Sequence, residues 1–409
     1  MRTESSLQNG PDGPLTPISG RLLMPHSTTS APSPASRRGR HRTRVLAVAG
    51  VLTTALAAVG GAASATADTS TTQGAKPANA AAVPKAAVTA STSYEVASLS
   101  GQAHDVLTWG TSPWRGQYDW QTGAATGTSP SIATVPGGYE VAVHVNYQDD
   151  LWTLGAAGNK DWHVTMAPGT SPAIAALTGG GYEVAYQTSG GALAVVGTRG
   201  TKTYPLGMMP GTSPSIVGLP QGGTEIAFQS NAGTLWTVGD AGGRNWGFGM
   251  CRPSSPSITT QGRASYQVAV DITYTNCKQP ASGSQPSNSV WTVSPAGVKD
   301  WKVGIYEGTS PSITRLEGGG VELALATNTV FSPPNADLWT IGAAGYKDWN
   351  IGLGKSSPAI TAQPGGGFAV AIYPGYTNAV WVLNQQGLVA TYPIIGPATP
   401  TTSSPAITH

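Results

Sequence analysis

The side chains best suited to chemistry in this chain come as a recurring pair. A tryptophan preceded by Asp or Asn occurs at Asp119-Trp120, Asp161-Trp162, Asn245-Trp246, Asp300-Trp301 and Asp348-Trp349. A flat indole beside a hydrogen-bond acceptor suits a sugar ring, whose faces are apolar and whose rim is hydroxylated. The candidate carbohydrate-binding set is therefore Trp120, Asp161, Trp162, Asn245, Trp246, Asp300, Trp301, Asp348 and Trp349. The same pair has a purely structural reading, with the Asp or Asn capping a turn through side-chain to backbone bonds. Acids outside the pattern are few: Asp149, Asp150, Asp240, Asp271, Glu307, Glu317 and Asp337. Glycoside hydrolysis needs two carboxylates at a set separation, and most of these sit at loops without an evident partner. His144 and His163 each occur once in the repeat. The expectation is a chain without catalytic residues, not an enzyme, with no cofactor and no metal.

The elements that position the pairs are strands. Ser129–Gly169 contains four short runs, SPSIAT, GYEVAVHV, LWTLG and DWHVTM, separated by Gly-, Pro- or Asn-rich breaks. Alternation and β-branched or aromatic residues make each run a strand, and four strands in roughly 40–45 residues is the size of a propeller blade. The Ser-Pro pair that opens the unit recurs at Pro130, Pro172, Pro214, Pro256, Pro311, Pro358 and Pro405. The second strand recurs at Tyr94, Tyr139, Tyr182, Thr224, Tyr266, Val321 and Phe368. The two series are out of phase: the first unit lacks its Ser-Pro strand, and the last nine residues are such a strand with nothing after it. An open array would leave an unpaired edge. The fold expected is an all-β, seven-bladed β-propeller of four-stranded antiparallel blades, the first completed by the C-terminal strand.

Other recurrences read as architecture. Gly clusters such as Gly137-Gly138 and Gly179–Gly181 join strands one and two, where a tight hairpin needs positive φ. Strand-three tryptophans (Trp152, Trp236, Trp291, Trp339, Trp381) are expected to pack between blades. Mid-strand Glu95, Glu140, Glu183, Glu225 and Glu322 point towards a neighbouring blade, and buried carboxylates need partners. The hydroxyls of the Thr-Ser-Pro runs are the expected ones.

Seven of the 22 Lys and Arg lie in the first 44 residues, and after Ala67 there are 15 basic against 18 acidic residues. A weakly acidic body is a poor partner for nucleic acid. The basic cluster Arg37–Arg44, the apolar run from Val45 and the small-residue site Ala65-Thr66-Ala67 have the layout of a secretory signal. Residues 1–67 are read as a leader, with a retained membrane anchor as the competing reading. Residues 68–92 are a disordered Ala/Thr/Pro-rich linker, and 93–409 the propeller. The protein is expected outside the cell, and free of the membrane once the signal is cleaved. Two cysteines in an exported chain suggest one disulfide. Cys251 and Cys277 lie in connections on the same face of one blade, so a bridge is feasible.

The order Ser-Pro-x-Ile, Gly-Gly-x-Glu-Val-Ala-x-Gln, Leu-Trp-Thr-x-Gly, Asp-Trp-x-x-Gly resembles the seven-bladed propeller lectins of the PVL-like and tectonin (tachylectin)-like families, over about Ser93 to His409. The resemblance implies sugar sites in grooves between adjacent blades. The Asp-x-Asp-x-Asp-Gly calcium loop of some PVL-like members is missing here. The function expected is a secreted, multivalent carbohydrate-binding protein whose partners are glycans or glycoconjugates. The alternative is a protein-interaction or cell-envelope scaffold using the face with the longest insertions, Tyr274–Asn288, Asn328–Ala336 and Tyr373–Asn378.

Overall fold

The computed structural model describes residues 93–409 apart from 102–103, 112–115, 252, 263–264, 274–287, 329–335 and 395–402. The leader and linker, Cys277 and most of the two longest insertions lie outside the described residues. Cys251 is buried, and the Cys251–Cys277 bridge stays an expectation. Among the described residues, no helix is long and apolar enough to cross a membrane.

Seven four-stranded antiparallel sheets form the blades, as expected. Blade two shows the plan, with strands Ser131–Val135, Gly138–His144, Asp150–Gly155 and Lys160–Thr165 from the centre outwards. Its second strand is buried at six of its seven positions, whereas its outermost strand has no fully buried residue. That gradient follows from position: central strands are covered on both sides by neighbouring blades, and the fourth has water along its free edge. Seven separate apolar clusters occupy the described core, one at each junction between adjacent blades. At about 1.5–3 kcal/mol for each large side chain removed from water, these junctions are the main source of stability.

The ring is closed where its termini meet. Ala406–Thr408 pairs antiparallel with Glu95–Leu99, in the register Glu95↔Thr408, Val96↔Ile407 and Ala97↔Ala406. A second seal runs round the channel. The Ser129 amide donates to Ser171 Oγ, and the same bond runs from Ser171 to Ser213, to Ser255, to Ser310, to Ser357 and to Ser404, whose amide returns to Ser129 Oγ. All seven bonds measure 2.8–2.9 Å. The innermost strands are sheet edges, so their amides need partners. Serine supplies one, and the proline after it removes the next donor from the edge.

The strand-two glutamates are held differently from the expectation. The Glu140, Glu225 and Glu322 carboxylates accept amides of the strand three–four turn of their own blade, from Ala157 (3.0 Å), Ala241 (3.0 Å) and Ala344 (2.8 Å). Each lies against the glycine that ends strand three: a Cβ on Gly239 would come within 2.2 Å of the Thr224 carbonyl and 2.6 Å of Glu225 Oε2. Glu183 is held by arginine, with both its oxygens 2.7 Å from Arg199 nitrogens, and it also accepts the Thr224 hydroxyl at 2.7 Å. Burial pushes the Glu225 carboxyl up to about 8 and Glu322 up to about 7, and raises Glu140 as well.

Candidate functional site

The Asp-Trp pairs sit on the outermost strands, each beside a junction between blades. Their indole N–H groups point inwards. Trp120, Trp162, Trp246, Trp301 and Trp349 each donate, at 3.1 Å, to a strand-three threonine of their own blade: Thr108, Thr153, Thr237, Thr292 and Thr340. These threonines are at most 1% exposed. At three junctions the same hydroxyl also meets a tyrosine of the next blade, in the pairs Thr108–Tyr139, Thr153–Tyr182 and Thr237–Tyr266 at 2.8–2.9 Å. The tryptophan therefore closes the outer end of a junction, partly buried, with its ring edge-on to the tyrosine for Trp120–Tyr139 and Trp162–Tyr182.

The preceding residue holds the strand in shape. Asp119, Asp161, Asn245, Asp300 and Asp348 accept the amide two residues on at 2.8–2.9 Å, from Gln121, His163, Gly247, Lys302 and Asn350. All five donors have positive φ, between 50° and 70°. The strands carry a bulge here, seen in blade two as a register shift between Asp150 and Trp152 opposite Thr165 and Asp161. An Asx-type bond steadies this disfavoured conformation. One carboxylate oxygen is thus committed to the backbone.

The outer faces of the indoles are covered by cations. Lys160 Nζ lies 3.4 Å from the Trp162 ring centroid, Lys299 Nζ 3.3 Å from Trp301 and Lys347 Nζ 3.5 Å from Trp349. The Arg244 guanidinium carbon lies 3.8 Å from Trp246, and Lys202 stands 4.4 Å over Tyr204 in blade three. Tyr118 takes this place over Trp120. A bare stacking platform was expected; the structure has a cation–aromatic pair instead. These cations were missed because a lysine just before Asp-Trp reads as part of the turn. Their signal was present as a Lys or Arg two residues before the aromatic, on the same side of the strand.

The strand-three tryptophans Trp152, Trp291 and Trp381 pack at junctions between blades, as expected. Coming from the following blade, they pack against the same junction cluster as the strand-four aromatic, Trp152 with Trp120, Trp291 with Trp246 and Trp381 with Trp349. All six are only partly buried. Each such groove therefore has an aromatic from both walls and, in the last two, an exposed cation at its rim.

A second concavity lies on the axis. It has a volume of about 850 Å³ and is bordered by the serine ring with Tyr306, Glu307 and Lys355. Among the described residues, Tyr306, Glu307 and Lys355 put the largest polar side chains into a lining otherwise made of serines, glycines and Pro253. Asp271 faces neither site. It is 3% exposed, accepts Asn288 Nδ2 at 2.9 Å, and burial pushes its carboxyl up to about 7.

No family model and no curated protein matches the chain. Among solved structures it is similar to the SapL1 lectin in complex with alpha methyl fucoside, at 14% identity over 66% of this chain and 97% of that one, with a TM-score of 0.46. It is also similar to virginiamycin B lyase from Staphylococcus aureus, at 17% identity over 68% and 88% of the two chains, with a TM-score of 0.45. The six-bladed Aleuria aurantia lectin follows at 9% identity over 66% and 97%, with a TM-score of 0.44. Similarity this distant concerns the fold. It corrects one expectation: lyases stand beside lectins among these propellers, so the frame gives no ground for calling the chain a non-enzyme.

Proposed function

We propose that this chain is a carbohydrate-binding protein that acts outside the cell and takes glycans in the grooves between adjacent blades. The observation that carries the reading is the repeated groove itself: partly buried aromatics from both walls, an exposed lysine or arginine at the rim, and an Asp or Asn beside it. The aromatics offer apolar area to a sugar face, and the cation donates to its hydroxyls while remaining against the ring. Several alike sites that are weak singly gain from simultaneous engagement, on the order of 10²–10⁴ in affinity. The test is a glycan array probed with the parent chain and with the double variant Arg244→Gln, Lys347→Gln, which removes the rim cations of the grooves at Trp246 and Trp349. Binding to a defined set of glycans, reduced at least about tenfold in the double variant, supports the reading. A blank array from folded protein overturns it.

The axial funnel favours a second reading, a single polar ligand or an interaction partner on the face bearing the long insertions. Under that reading Lys355→Ala abolishes binding and the rim variants leave it unchanged.

A further inference from the structure

We propose that blade two carries a binding site for a divalent transition-metal ion, formed by Asp150, Asp161 and His163. One ligand atom from each lies within 4.8 Å of the other two. The bulge that shapes the outer strand brings this about: His163 has φ of 51°, so residues 161 and 163 both turn towards the start of strand three, where Asp150 stands. His163 Nδ1 is 3.1 Å from Asp161 Oδ2, while Asp161 Oδ1 holds the His163 amide at 2.8 Å. The independent sign is Asp150. It is 7% exposed, and among the described residues no hydrogen bond or ion pair reaches its carboxylate. A carboxylate on a side chain this little exposed, with no cation of the described residues bonded to it, stands open to one, and this one lies beside another carboxylate and an imidazole.

The other blades act as internal controls. In blade five the residue matching Asp150 is Ser289, whose hydroxyl donates to Asp300 Oδ1 at 2.5 Å, and the residue matching His163 is Lys302, whose ammonium lies 2.5 Å from Asp300 Oδ2. That blade supplies its own cation, and its second acid is absent. Blade four has Thr234, Asn245 and Gly247 and carries no charge there. Blades one and six pair two acids, Asp105 with Asp119 and Asp337 with Asp348, but their third residues are Gln121 and Asn350. Among the five blades that carry the Asp/Asn-Trp pair, blade two alone combines two carboxylates with an imidazole. Two hard oxygens and one borderline nitrogen suit zinc, cobalt or nickel better than calcium or magnesium, which prefer all-oxygen sites. The exposed imidazole, 83% accessible, is free to settle on the ion and leaves an open side for water or a ligand.

The test is calorimetric titration of the untagged full chain, stripped with EDTA and dialysed, with zinc chloride. One zinc per chain at this site is expected, with a rise in melting temperature on binding. Asp150→Ser and His163→Asn copy the residues of blades five and six, and each should weaken zinc at least about tenfold and remove the thermal shift. Asp119→Asn, the matching position in blade one, should leave zinc binding unchanged. His163 is exposed, so His163→Asn decides the matter even if Asp150→Ser fails to fold. Absence of binding at millimolar zinc, or zinc binding of equal strength in His163→Asn, overturns the proposal.

Discussion

Among single residues, hydroxyls and carboxyls inside the blades set much of the stability and its pH dependence. Thr153 Oγ1 accepts the Trp162 indole N–H and shares a second hydrogen bond with the Tyr182 hydroxyl. Thr153→Val keeps the shape and leaves both without a partner, so stability measured by urea denaturation should fall by about 2 kcal/mol. The buried glutamates give the fold a pH dependence of opposite sense to a salt-bridged acid. Burial lifts the Glu225 carboxyl from 4.5 to about 8 and Glu322 to about 7. Between the unfolded and folded values the native chain holds more protons than the unfolded one. Its stability is therefore fully present below about pH 4.5 as far as these groups go, and is lost as pH rises towards 8. Melting temperature should fall from pH 5 to pH 9. Glu225→Gln, which mimics the protonated acid, should flatten that slope and melt higher than the parent at pH 8.

At the scale of elements, the strand-three glycines and the outer-strand bulges decide what each blade can carry. Gly239 has no room for a methyl group between the Thr224 carbonyl and Glu225. Gly239→Ala should cost on the order of 2–3 kcal/mol, whereas Gly137→Ala, in open space at positive φ, should cost about 1 kcal/mol. Differential scanning calorimetry of the pair separates crowding from backbone strain. Strand identity, order and blade phase were legible in the sequence because the repeat shows each element several times. The position of Glu140 in mid-strand was legible as well. Its partner was not, since the Ala157 amide belongs to a turn of the same blade that period-two patterning does not place. The Asp-Trp pairs were legible as a recurrence, but the bulge they support was not. The register shift, two residues of strand three against four of strand four between Asp150–Trp152 and Asp161–Thr165, brings His163 towards Asp150.

For the whole molecule, closure gives every junction between blades the same inner seal. The bonds from Ser357 to Ser404 and from Ser404 to Ser129 complete the same cycle as the others, so the junction between first and last blades has the same inner seal as the rest. Removing residues 403–409 should cost more than the roughly 2 kcal/mol of one buried side chain and should split or broaden the single melting transition, as read by circular dichroism. The most direct measurement of the central claim is the number of sugar molecules that one chain holds. Native mass spectrometry of the full chain with a glycan selected on the array should show several bound copies of comparable affinity, reduced in number by Arg244→Gln and Lys347→Gln. A single copy per chain, unaffected by those changes and lost in Lys355→Ala, would contradict groove binding and place recognition on the axis instead.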